Sequence, residues 1–298
     1  MTLSARNRVS RRDMAELAGE LFGLELSVGV VDAICQRASD ALAWPHERLT
    51  ASVLASPALN VDETGWRTAG EGRALWTVTA PDAAVFRVAE NRHRDRLTEL
   101  IGSDHAGIVC SDRWWAYEHL DPELRQACWE RLKRDFTRHA EGLAEQRAFG
   151  EAGLRLTKRL FSAWREFPEH RDRRRLRAEI EPIRSELRAL LERAARKSKR
   201  TRHHRVFASN LLKIWPALWT FASVEGVEPT NNAAERSLRG PVIHRKLSHG
   251  TRSEAGERFI ERALSASVTC RLQGRSLFAY LSELLTARAR GQPLPSLA

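Results

Sequence analysis

Four short apolar runs lie between positions 57 and 118: "PALNVDETGW", "ALWTVTA", "AVFRVA" and "AGIVCSD". Each is rich in β-branched or aromatic residues, and Gly, Pro or Asp separates it from the next, so each reads as a strand. The polar periodic stretch "NRHRDRLTELIG" between the third and the fourth reads as a helix. The resulting order is β-β-β-α-β, and "RQACW" is a candidate fifth strand. Three strands in a row on short links favour an antiparallel meander, which places the chain among α/β or α+β folds.

Helices flank this core on both sides. Ser10 and Ser27 each stand where an N-cap is expected. Behind Ser10, Met14, Leu17, Leu21 and Phe22 recur at helical spacing; behind Ser27, Val31, Ile34, Ala38 and Leu42 do the same. Two short helices on a tight turn match a helix-turn-helix, and they match equally a plain helical hairpin packed on the core. Positions 137–225 read as almost wholly helical, with Leu176, Ile180, Ile183, Leu187, Leu190 and Leu191 as an apolar stripe in a field of arginine. Two more helices are expected over 253–290, the second capped by Ser276. The expected organisation is a helical module at 1–50 (a candidate DNA-binding helix-turn-helix), a first core segment at 51–136, a basic helical insertion at 137–225 and a completing core segment at 226–298.

The formal net charge is +11 over 298 residues. A chain this basic is expected to meet nucleic acid or another anionic surface. Positive charge is densest at 193–205, where Arg196, Lys197, Lys199 and Arg200 form a candidate phosphate-contacting run. The four cysteines, Cys35, Cys110, Cys128 and Cys270, are dispersed with no Cys-x-x-Cys pair, which argues for buried thiols rather than disulfides or a cysteine zinc site. No apolar run has the length of a membrane span and the first ten residues are no signal peptide, so a cytoplasmic, nucleoid-associated protein is expected.

Three acids stand out. Asp62 ends the apolar part of the first strand run, beside Glu63, and strand alternation lets only one of the two face an interior site. Asp112 ends the fourth run. Glu235 lies far downstream in "EPTNNAAERSLRG", a segment of helical spacing. Each has an ordinary explanation: Asp62 as a turn residue, Asp112 as an N-cap, Glu235 as a partner of Arg239. Together, in a strongly basic chain, two strand-end aspartates and a helical glutamate match the hard oxygen ligands of Mg²⁺. Two such ions, about 3.5–4 Å apart, suit phosphodiester chemistry.

The blocks "VDETGWR", "GIVCSDRWWAY", "RQACWERLKRDF", "EPTNNAAERSLR" and "IHRKLSHGTRSEAGERFIERALSASVTCRLQGRSLFAYL" occur in an order that resembles the insertion-sequence-66 family of bacterial transposases. The resemblance covers nearly the whole chain. It implies an RNase H-like mixed-sheet catalytic core with a helical insertion and a small N-terminal helical module. It also implies that Asp62, Asp112 and Glu235 bind metal, two Mg²⁺ or Mn²⁺ ions per site, in a DDE enzyme that cuts transposon ends and transfers strands into target DNA. Arg236, Arg239, Arg245 and Lys246 are then expected at phosphates, and Asn231 and Asn232 at the entrance of the helix bearing Glu235. Transposon-end and target DNA are the implied partners, with a homodimer or larger assembly and accessory proteins of the same element.

The pattern departs from the family in two places. The family's Cys-x-x-His after the second acid reads Cys128-Trp129-Glu130-Arg131 here. The family's upstream coiled coil and zinc-finger-like region do not precede these blocks. A catalytically impaired remnant that regulates by binding DNA, and an RNase H-like nuclease without strand transfer, are the alternative readings. Among the nine tryptophans, Trp66, Trp114 and Trp115 follow the acids, and one of them is a candidate to stack on an unpaired base.

Overall fold

The computed structural model describes residues 1–298. After a single π-helical turn, the elements in chain order begin with α1 (Arg11–Phe22), α2 (Val28–Ala41) and α3 (Ala43–Leu54). There follow β1 (Ala58–Thr68), β2 (Glu71–Thr79), β3 (Ala84–Ala89), α4 (Arg94–Ile101), β4 (Ile108–Ser111) and β5 (Arg125–Ala127). The helical stretch comprises α5 (Trp129–Ala140), α6 (Ala144–His170), α7 (Arg173–Ala195), α8 (Arg205–Lys213) and α9 (Thr220–Ser223). The chain closes with α10 (Asn232–Ser248), α11 (Glu254–Leu272) and α12 (Leu277–Ala289). The fold is mixed α/β. It divides into two compact units, Met1–Gly107 with Asn232–Ala298, and Ile108–Asn231.

In the first unit β1, β2 and β3 form the antiparallel meander that the turn residues predict, with Asp62 opposite Thr77 and Trp66 opposite Arg73. The outer edge of β3 is closed by side chains of α11. The backbone N–H groups of Ala84, Phe86 and Val88 donate to Thr269 Oγ1 (3.0 Å), Ser265 Oγ (2.9 Å) and Glu261 Oε1 (2.8 Å). Every second strand residue, about 6.6 Å apart, meets every fourth helix residue, about 6 Å apart. An edge that could otherwise pair with another chain is thereby covered. Phe86, Leu75, Trp66, Leu238, Phe259 and Leu264 form the apolar core beneath it.

The caps at Ser10 and Ser27 form as expected, each hydroxyl accepting a backbone N–H three residues on. Three expectations change. The sequence stops the second helix at 43, whereas α3 continues through Leu54 and buries Leu49 and Val53. Leu21, Phe22 and Ile34, read as core-facing, are exposed. Only Met14 of the first helix's apolar series is fully buried, because α1 and α2 pack against each other along a narrow seam. Across 10–43 three arginines stand against six carboxylates, a charge balance unlike that of a phosphate-binding surface.

In the second unit β4 and β5 pair in parallel, Cys110 opposite Gln126. Helix α5 packs against α6 so closely that a Cβ at Gly150 would strike the backbone at Ala140, and one at Gly153 the ring of Phe136. The stripe on α7 is buried as its period requires, with Leu176, Ile180, Ile183, Leu187 and Leu191 inside and Leu190 at the margin. Arginines on α7 pair with glutamates along the same helix, as in Arg175–Glu179 and Arg188–Glu192, and Arg159 of α6 pairs with Glu186 of α7.

Candidate metal centre and nucleic-acid interface

Asp62 is not at a strand end. β1 runs six residues beyond it to Thr68, because Thr64, Trp66 and Thr68 each find partners on the face that Asp62 shares by alternation. Arg245 Nη1 donates to Thr64 Oγ1 (3.1 Å) and to the carbonyl of Gly65. The His244 ring stacks on Trp66 with centroids 6.2 Å apart. Trp66 Nε1 donates to Thr251 Oγ1 (3.2 Å), and Thr68 Oγ1 donates to Glu257 Oε1 (2.6 Å). Helix α10, the link after it and the first turn of α11 therefore cover this face of β1. Asp62 is 7% exposed, and its Oδ1 accepts the N–H of Glu63 (2.9 Å).

Asp112 follows β4 directly, as the sequence predicts. Its Oδ1 accepts the backbone N–H of Trp114 (2.8 Å), which fixes the turn leading away from the strand. The turn is held from behind by Arg125, a residue that sequence reasoning missed. Its guanidinium is 1% exposed and donates to the carbonyls of Asp112 (2.6 Å) and Tyr117 (3.0 Å) and to Ser111 Oγ (3.3 Å). Burial lowers its pKa to about 10, partly offset by the nearby Asp112 charge, so it remains a cation at neutral pH. Burial pushes the Cys110 thiol up to about 12, so it remains protonated. The Cys128 sulfur accepts the backbone N–H of Asn231 (3.2 Å). All four cysteines are free and buried, as expected.

Glu235 lies in the first turn of α10, with Asn232 as the first helical residue and Asn231 just before it. Arg236 and Arg239 beside it are exposed, and so is Lys246, while Arg245 is half-buried and tied to β1. In the second unit Arg196, Lys197, Lys199 and Arg200 are all exposed on the turn between α7 and α8. Ser198 and Thr201 fold that turn through reciprocal N–H to hydroxyl bonds of 3.2 Å. Of the three tryptophans, Trp66 is 2% exposed and is packed in the core, which removes it as a stacking platform; Trp114 and Trp115 are open to solvent.

A concavity of about 250 Å³ opens beside Asp112, between the turn it begins and one face of α5. Arg113, Arg131, Arg134 and Arg138 line it together with Trp114 and Asp135. Asp135 pairs with Arg113 and, at 3.4 Å, with Arg138. Only the spacing of the α5 arginines signalled this feature in the sequence, and nothing there placed Trp114 opposite them.

The donors suit a hard divalent cation: carboxylates on a strand and at a strand end, with the neighbouring thiols protonated or hydrogen-bonded. Within neither unit alone do three His, Cys, Asp or Glu side chains stand close enough to hold a metal. Asp62 and Glu235 belong to the first unit and Asp112 to the second.

The profile described as "Transposase IS66 family" matches residues 10–258, and the chain belongs to that family. No curated protein matches it significantly. No helix is long and apolar enough to cross a membrane.

Proposed function

We propose that the protein is a metal-dependent DDE transposase in which Asp62, Asp112 and Glu235 act together. In this reading it cleaves transposon-end DNA and transfers the freed strand into a target. The observation that carries it is the match between β1 and α10. Trp66 meets His244, and Asp62 lies four strand residues away, about 13 Å. Glu235 lies nine helical residues before His244, also about 13 Å. From Thr68 back to Thr64 the partners fall from Glu257 and Thr251 to Arg245, and the Thr68–Thr251 bridge is parallel, so β1 and the segment containing α10 run in the same direction. That register carries Glu235 toward Asp62 on the covered face.

When bound, a pair of divalent ions would activate the attacking oxygen and stabilise the leaving oxygen of a phosphodiester. The chain's own contribution is to hold its carboxylates rigidly. Asp62 sits within a fully paired strand, Asp112 on a turn clamped by Arg125, and Glu235 on a helix anchored to β1 by Arg245 and His244. Arg236 and Arg239 face outward beside Glu235, where a DNA phosphate would sit. The strand then attacked, its target and the accessory proteins are set by the partner DNA and the assembly on it, for which a dimer or larger species is expected.

The test is cleavage of labelled DNA carrying the inverted repeats that flank the gene, with Mg²⁺ or Mn²⁺. Asp112→Asn should lose several kcal/mol of transition-state stabilisation, about a thousandfold in rate, with DNA binding retained. Nicking by the variant at the rate of the unaltered protein would refute the assignment.

A further inference from the structure

The concavity beside Asp112 has a chemistry that the cleavage reaction alone does not require. Arg131, Arg134 and Arg138 stand at i, i+3 and i+7 on α5, one helical face about 10 Å long. Arg134 and Arg138 are exposed. With Arg113 they give four guanidinium groups against the two carboxylates of Asp112 and Asp135. The Trp114 ring, 42% exposed, stands at the same concavity, tilted 47° from Trp115. A large apolar ring left in water among fixed cations is poorly used by the folded chain alone. It is well used by a ligand that is flat and aromatic at one end and anionic at the other.

The volume narrows the choice. About 250 Å³ lies below the usual range of roughly 300–1,000 Å³ for drug-sized pockets, a scale that suits one base with its sugar better than a larger ligand. Asp135 holds Arg113 and Arg138 in place, and such pairing sets guanidinium planes for bidentate contact with phosphate oxygens. The link between Trp114 N–H and Asp112 Oδ1 couples the ring to the carboxylate: whatever lies on the indole is registered against the strand end that carries Asp112.

We infer that this pocket seats one extrahelical nucleotide of the bound DNA, its base stacked on Trp114 and its flanking phosphates held by Arg131, Arg134 and Arg138. The inference rests on the reading of Asp112 as a cleavage-site carboxylate, and it adds a positioning subsite that fixes which phosphodiester lies beside it. Arg131 replaces the histidine expected at this position with a permanent cation, in keeping with a phosphate contact.

The experiment compares the affinity of the full chain, without divalent metal, for two probes. One is a short duplex with a single extrahelical adenine; the other is the same duplex with an abasic sugar at that position. The unaltered protein should prefer the adenine probe by about tenfold, the scale of one base stacked on an aromatic ring. Trp114→Leu should erase that preference while binding the abasic probe normally, and Trp114→Phe should keep most of it. Arg131→Ala with Arg134→Ala should weaken both probes and reduce the slope of log K against log salt by about two. Thermal melts of each variant separate these effects from misfolding. Equal affinity of the unaltered protein for both probes, or a preference that survives Trp114→Leu, overturns the pocket. If that occurs while end DNA is still cut with metal, the cleavage reading stands alone. If DNA is neither bound nor cut, both readings fall.

Discussion

Arg125 donates to three acceptors on the turn that presents Asp112, alongside Ser111 Oγ at the Asp112 carbonyl and the Leu120 N–H at the Tyr117 carbonyl. Arg125→Met keeps the bulk and removes every donor. It should destabilise the protein by about 3 kcal/mol, in the range of broken buried charge networks, and lower cleavage further than stability alone requires. Chemical denaturation and single-turnover cleavage separate the two effects; full cleavage by a folded variant would make Arg125 a packing residue only. His46 has a different consequence. It is 8% exposed, with Nε2 unpartnered, and burial, aided by Arg262 and Arg87, lowers its pKa to about 4. Its contribution to stability is complete above pH 6.5 and is lost as pH falls toward 4, because the unfolded chain takes up a proton that the folded chain resists. The integrated loss is on the order of 3 kcal/mol. Urea titrations of the parent and His46→Gln between pH 7 and 4.5 should converge as pH falls; a gap independent of pH would contradict this account.

At the scale of elements, α11 acts as the closing partner of β3. Ser265→Ala leaves the buried N–H of Phe86 without an acceptor and should cost about 1–3 kcal/mol. Hydrogen exchange at the Phe86 amide is the direct readout, and unchanged protection in the variant would mean that the ladder is incidental. This device was not legible in the sequence. Glu261, Ser265 and Thr269 read as polar interruptions of an apolar helix, and their purpose exists only opposite β3. The strands themselves were legible, because apolar runs bounded by turn residues fix both their type and the meander. The end of β1 was not, since Gly65 reads as a stop while the partners that extend the strand, Thr251 and Glu257, lie far along the chain. α3 was missed because "AWPHERLTASVL" carries Pro45 in its first turn and only a weak apolar period. Of the candidate site, the three acids and the exposed arginines could be read from residue type and the ordered blocks. Arg125 and the arginine pocket could not, because an arginine in a strand or on a helix reads as surface until its neighbours are known.

At the scale of the molecule, charge is sorted by region. Ion pairs laced along α6 and α7 stop at Glu192, and none involves a residue of 193–205, so positive charge accumulates uncompensated on the turn after α7. The α1–α2 pair is acidic instead. DNA contact is thus expected from the α7–α8 turn, from α10 and from the α5 face rather than from the N-terminal helices. The proposed function requires Asp62, Asp112 and Glu235 each to contribute to divalent-metal binding. Mn²⁺ binding followed by electron paramagnetic resonance tests it without need of the cognate DNA. The account predicts that Asp62→Asn, Asp112→Asn and Glu235→Gln, each shown to be folded, all weaken Mn²⁺ binding relative to the unaltered protein. Binding that survives intact in any one of the three would contradict it.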